Sequence, residues 1–132
     1  MSRNVRSRSA SRILVVEDEQ VLAMDVEMQL VAFGYEVTGI AATGKEALRL
    51  AETTRPDLVL MDVQLRGPLD GFATAAKVQQ IRKLPIVFVT AFGNTEAQRR
   101  AKAVSSCGFI TKPYRPEDLR AVVSAALEHC RI

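Results

Sequence analysis

Arg55-Pro56-Asp57-Leu58-Val59-Leu60-Met61-Asp62 is the stretch on which the fold turns. Arg55-Pro56 breaks the segment before it, because a residue preceding proline is pushed out of the helical region. Leu58 to Met61 is then a continuous apolar run that stops on a carboxylate. A strand exposed on one face alternates apolar and polar residues. A run without alternation belongs to a strand covered on both faces, which is the habit of parallel sheets.

The same grammar recurs on either side. Ile13-Leu14-Val15-Val16 ends in Glu17-Asp18-Glu19, Pro85 opens Ile86-Val87-Phe88-Val89 before Thr90, and Phe109-Ile110-Thr111 ends at Lys112-Pro113. Tyr35 to Ile40 is a further strand candidate. Longer amphipathic stretches separate these runs. One extends from about Gln20 to Phe33, with Val21, Met24, Met28 and Val31 at helical spacing on one face and Gly34 placed to end it. The second runs from about Lys45 to Thr53, with Ala47, Leu48 and Ala51 facing inward, and the third from Gly71 to Ile81. A fourth, capped by Asn94 or Thr95, reaches about Ser105. Pro116 suits the first turn of the last, Glu117 to about Cys130. Five β-α units in series predict an α/β, flavodoxin-like, doubly wound sandwich with a five-stranded parallel sheet in the order 2-1-3-4-5.

At 132 residues the chain has the size of one domain. Its net charge of +3 is unevenly placed: Arg3, Arg6, Arg8 and Arg12 lie in the first twelve residues, which hold no acid. Residues 1–11 therefore read as a disordered basic tail and 12–132 as the folded domain. The tail has no aromatic residues interleaved for base stacking, so no nucleic-acid partner is expected. No apolar run is long enough to span a bilayer, and none follows the tail arginines as in a secretory signal. A cytoplasmic location is expected, with Cys107 and Cys130, which lack metal-ligand spacing, as reduced structural thiols. Phosphate-binding and dinucleotide glycine motifs are absent.

The chemistry lies in what ends each strand. Ligands of open α/β sheets bind beyond the carboxyl ends of the strands, where the strand order reverses. Glu17, Asp18, Asp62, Thr90 and Lys112 would converge there. Crowded carboxylates repel and need a cation. An all-oxygen set suits Mg²⁺, with Asp18, Asp62 and the backbone carbonyl of Gln64 as direct ligands and Glu17 acting through a water. Asp62 keeps an oxygen for attack on phosphorus, Lys112 pairs with a phosphoryl oxygen, and the Thr90 hydroxyl donates to another.

In these residues the chain resembles the receiver domain of two-component response regulators, from about Arg12 to His129. The resemblance implies a non-enzymatic phosphorelay protein with Asp62 as phosphoacceptor, Glu17 and Asp18 as the acidic pair, and Thr90 and Lys112 as phosphoryl-binding residues. It also implies a cis peptide at Lys112-Pro113 and a rotamer switch at Phe109. The implied partners are a sensor histidine kinase or histidine phosphotransfer protein and a downstream protein effector. A homodimer through helix four, strand five and helix five is a further expectation, with Arg99, Arg100 and Lys102 facing Glu117, Asp118 and Arg120. Gln64 and Phe92 flank the site and are expected to tune the phosphoryl lifetime. Arg66 stands where the family commonly has proline, and Asp70-Gly71 lies one residue late. Arg115 replaces a capping Ser or Thr, and Glu17 replaces the more frequent Asp. Two other readings compete. A phosphorylation-independent interaction module would leave the acidic site idle. A haloacid-dehalogenase-like phosphohydrolase would need a second acid two residues after Asp62, where Gln64 stands.

Overall fold

The computed structural model describes residues 10–91, 93–103 and 107–130. The tail through residue 9, Phe92, and the expected end of the fourth helix near Ser105 lie outside the described residues. Ten elements alternate: β1 (Arg12–Val16), α1 (Gln20–Ala32), β2 (Glu36–Ala41), α2 (Gly44–Thr54), β3 (Leu58–Asp62), α3 (Gly71–Ile81), β4 (Ile86–Ala91), α4 (Thr95–Ala103), β5 (Phe109–Lys112) and α5 (Pro116–His129). The strands form one parallel sheet in the order β2-β1-β3-β4-β5. Ser11, assigned to the tail from sequence, already accepts a hydrogen bond from the Glu36 amide at 2.9 Å.

Each face of the sheet has its own core. On one face Val26 and Leu30 of α1 and Leu119, Val123 and Ala126 of α5 cover Ile13, Val15, Leu58, Leu60 and Val87. On the other, alanines and larger apolar residues of α2, α3 and α4 cover Leu14, Val16, Val59, Met61 and Phe88. All five residues of β3 are buried, which is why its sequence shows no alternation. Leu30 is fully buried, so Leu30→Ala would cost about 2–5 kcal/mol in lost burial and cavity.

Local chemistry places the boundaries. The Thr43 hydroxyl accepts from the Glu46 amide and caps α2, and Arg55 ends it at φ 51°. Asp70 caps α3 through the Ala73 amide at 2.8 Å, and Asn94 caps α4 through the Ala97 amide at 3.0 Å. At α5 the Asp118 carboxylate accepts from the Arg115 amide at 3.1 Å, so the helix start is closed without a capping hydroxyl.

Two expectations are corrected. The stripe Val21, Met24, Met28 and Val31 is not the packing face of α1; Val21 is 79% and Met28 70% exposed, while Ala23, Val26 and Leu30 meet the sheet. Apolar residues occur around most of this helix, so its periodicity does not choose a face. The cysteines are not free thiols either. Cys107 and Cys130 are joined as a disulfide across a Cα–Cα distance of 5.6 Å. The fold brings the entry to β5 and the end of α5 together, which a separation of 23 residues in sequence does not disclose.

Candidate functional site

Strand register assembles the site. Val16 pairs with Met61, so the next residues, Glu17 and Asp62, emerge side by side from β1 and β3. Asp62 pairs with Val89, which brings Thr90 one step further along the same rim, and Ala91 pairs with Lys112. The five residues picked from strand ends in the sequence are thus carried to one edge by four adjacent strands.

Their contacts are specific. Lys112 Nζ donates to Asp62 Oδ2 at 2.9 Å and to Glu17 Oε1 at 3.3 Å. The other oxygen of Asp62, Oδ1, accepts from the Gln64 amide at 2.9 Å. Glu17 Oε2 accepts from the Glu19 amide at 3.1 Å, which turns this side chain inward. Glu17 and Asp62 are both buried, and Asp18 is partly exposed. Ligand-capable oxygens of Glu17, Asp18 and Asp62 all lie within 4.8 Å of one another. Such a set of clustered carboxylate oxygens fits a hard divalent cation that retains some water.

The electrostatics bear the mark of crowding. Burial, then the charge of Asp62 and a hydrogen bond with it, push the Glu17 carboxyl up to about 7. Burial alone would lower Lys112, but hydrogen bonding to Asp62 and the charges of Asp62 and Glu17 outweigh it and raise its pKa. The Thr90 hydroxyl is buried with no hydrogen-bond partner among the described residues. An unpaired buried hydroxyl is costly, so its presence at this rim matches a group that is complete only when an acceptor arrives.

The β3–α3 loop is folded tightly over the site. The Gly71 amide donates to the Val63 carbonyl at 2.9 Å. A Cβ on Gly71 would overlap the Asp62 carbonyl oxygen and lie 2.6 Å from Val63 Cα, so only glycine fits where α3 leaves the phosphoacceptor candidate. Arg66, in the position expected for proline, bridges by its backbone to Thr43 and places Nε 3.5 Å from Asp18 Oδ2. Its reach to Asp18 is a contact that the sequence did not announce.

Lys112-Pro113 is a cis peptide. Phe109 pairs in register with Phe88 and packs, half-buried, on the α4 side of the sheet. A cavity of about 450 Å³ runs from Glu17 and Lys112 along α1 to Leu22, Asp25 and Gln29, with Pro113 and Tyr114 as its far wall. The charges expected to face a dimer partner are mostly engaged within the chain. Arg99 contacts Glu96, Arg115 lies 3.5 Å from Asp118 and 3.9 Å from Glu117, and Arg100 and Arg120 sit over the rings of Phe72 and Phe33.

With that geometry in view, the sequence profile of the response regulator receiver domain matches residues 13–124. The chain belongs to the response regulator receiver domain family. The transcriptional regulatory protein PdtaR of Mycobacterium tuberculosis is 37% identical over 120 residues, which is 91% of this chain and 58% of that protein. The phyllosphere-induced regulator PhyR of Methylorubrum extorquens is 33% identical over 126 residues, 95% of this chain and 46% of PhyR. The chain thus spans roughly half the length of these curated relatives. A response regulator structure from Chloroflexus aurantiacus superposes with a TM-score of 0.84 at 33% identity, covering 90% of this chain and 98% of the other. The receiver-domain fold and its place in two-component signal transduction, expected from sequence, are therefore correct. No described helix is long and apolar enough to cross a membrane.

Proposed function

We propose that this receiver domain accepts a phosphoryl group on Asp62 from a phosphohistidine, in a reaction that depends on Mg²⁺. The observation that carries the reading is Asp62 itself: a buried carboxylate held at both oxygens, by Lys112 and by the Gln64 amide, beside a Thr90 hydroxyl that has no partner among the described residues. A carboxylate oxygen of Asp62 forms the new O–P bond. The N–P bond of the donor breaks, and its electron pair returns to the imidazole nitrogen. Lys112 and Thr90 meet the phosphoryl oxygens as charge-assisted and neutral donors. Glu17, Asp18, Asp62 and the Gln64 carbonyl are the residues that would hold the cation. When bound, it offsets the carboxylate and phosphoryl charge.

The donor is a protein, either a sensor histidine kinase or a histidine phosphotransfer protein. The support lies in α1, where Leu22 lines the cavity beside Glu17 and Lys112, and where Met24, Met28 and Val31 are exposed on another face of the same helix. An apolar stripe beside a phosphoryl site fits a partner that must both dock and deliver. Once phosphorylated, the domain would draw Thr90 toward the phosphoryl group and let Phe109 turn inward, changing the α4–β5–α5 surface for a downstream protein effector. Treatment with acetyl phosphate and Mg²⁺ should add one phosphate by intact mass. Loss of the adduct in Asp62→Asn is expected, and retention of it would place the phosphoacceptor elsewhere.

A further inference from the structure

The position that most separates this chain from the expected loop pattern is Arg66. Its backbone is fixed by a bridge to Thr43, the residue that caps α2, so the β3–α3 loop is anchored to the β2–α2 loop at this point. From there the guanidinium reaches Asp18, Nε to Oδ2, at 3.5 Å. Asp18 is the one member of the acidic cluster that Lys112 does not serve; Lys112 is taken by Glu17 and Asp62. Two cations of the chain therefore share the three carboxylates, one rooted in β5 and partly buried, the other on a surface loop.

We propose that Arg66 is a tethered counter-cation that competes with the divalent ion for Asp18 and so sets the metal affinity of the site. The inference rests on the metal reading above and goes beyond it by assigning a role to a residue outside the acidic cluster. Asp18 Oδ2 cannot serve the guanidinium and a small cation along the same direction. The cation must displace Arg66 or bind beside its positive charge, and either course weakens binding. The contact is cheap to break, since the Arg66 side chain is 80% exposed. Arg66 therefore lowers affinity without closing the site. It also makes occupancy sensitive to salt, which screens the largely exposed Arg66 more than the partly buried Lys112.

The test is a calorimetric titration of the full chain with MgCl₂, using wild type, Arg66→Ala, Arg66→Lys and Arg66→Glu at low and high ionic strength. Arg66→Ala should bind about three- to tenfold more tightly at low salt, the size expected for removing one exposed charge several ångströms from a divalent ion. Arg66→Lys should stay within about twofold of wild type, Arg66→Glu should bind more tightly than Arg66→Ala, and high salt should narrow the gaps. Equal or weaker binding by Arg66→Ala, or Glu and Lys variants of equal affinity, would overturn the competition while leaving the metal site standing. Absence of uptake by every protein would instead overturn the metal reading and this proposal with it. Because the Glu and Lys variants both keep a long exposed side chain, their comparison decides the matter even if the alanine variant proves unstable.

Discussion

Lys112 Nζ stands 2.9 Å from Asp62 Oδ2 and 3.3 Å from Glu17 Oε1, so one ammonium at the end of β5 answers two buried carboxylates from the ends of β3 and β1. One positive charge for two negative ones leaves the pair under-compensated. Burial first, and the nearby Asp62 charge second, raise the Glu17 carboxyl to about 7. The consequences for stability, phosphorylation and docking can each be measured.

The metal-free protein should lose stability as pH rises from about 4.5 to about 7. In that window folded Glu17 holds its proton while the unfolded chain has released it, so the native state binds more protons and the slope of stability with pH is negative. The loss attributable to this group is at most about 3 kcal/mol. Chemical denaturation in EDTA across pH 5 to 8, with Glu17→Gln as the control, reads it directly. The slope should flatten in the variant and in saturating Mg²⁺, and an unchanged slope in Glu17→Gln would assign the effect to another group.

Lys112→Ala should slow phosphorylation by acetyl phosphate about 10- to 100-fold. That range corresponds to the loss of one hydrogen bond to a charged group, about 1.5–3 kcal/mol. A mass-spectrometric time course with Mg²⁺ present gives the rate. Undiminished labelling would mean that Lys112 compensates the resting site without touching the phosphoryl group.

Met28→Glu on α1 separates docking from chemistry. Met28 is 70% exposed and touches neither core, so stability should change by less than about 0.5 kcal/mol. Phosphotransfer from a phosphorylated histidine phosphotransfer protein or kinase should fall at least about tenfold, while labelling by acetyl phosphate stays at the wild-type rate. Equal loss with both donors would remove α1 from the docking surface.

Gly71→Ala should destabilise the domain by about 3 kcal/mol or more, because the added Cβ collides with the backbone of Asp62 and Val63, which cannot rotate away. Gly34 offers the contrast. It has open space around its Cβ position and only its φ of 98° to defend, so Gly34→Ala should cost about 1 kcal/mol. Urea denaturation of the two variants measures the difference.

The sheet, its order and the residues at its carboxyl edge were legible in the chain itself. Fully buried parallel strands write themselves as unbroken apolar runs, and a run such as Leu58 to Met61 can end on the buried Asp62 only at the strand's end, where a partner such as Lys112 meets the carboxylate. Strand ends are sequence-local events, so Glu17, Asp18, Asp62, Thr90 and Lys112 could be named one by one. Contacts between loops were not legible. Arg66 meets Asp18 only because separate β-α units are stacked side by side by the sheet, and Cys107 meets Cys130 only because α5 runs back along the sheet to the entry of β5. The packed face of α1 was hidden for a different reason: with apolar residues on most sides, its burial follows from where β1 and β3 lie and not from its own periodicity. Sequence determined which groups reach the rim. Tertiary structure decided which of them share a cation, which hydroxyl is left waiting and which helix face stays open to a partner, because those outcomes depend on distances between segments far apart in the chain.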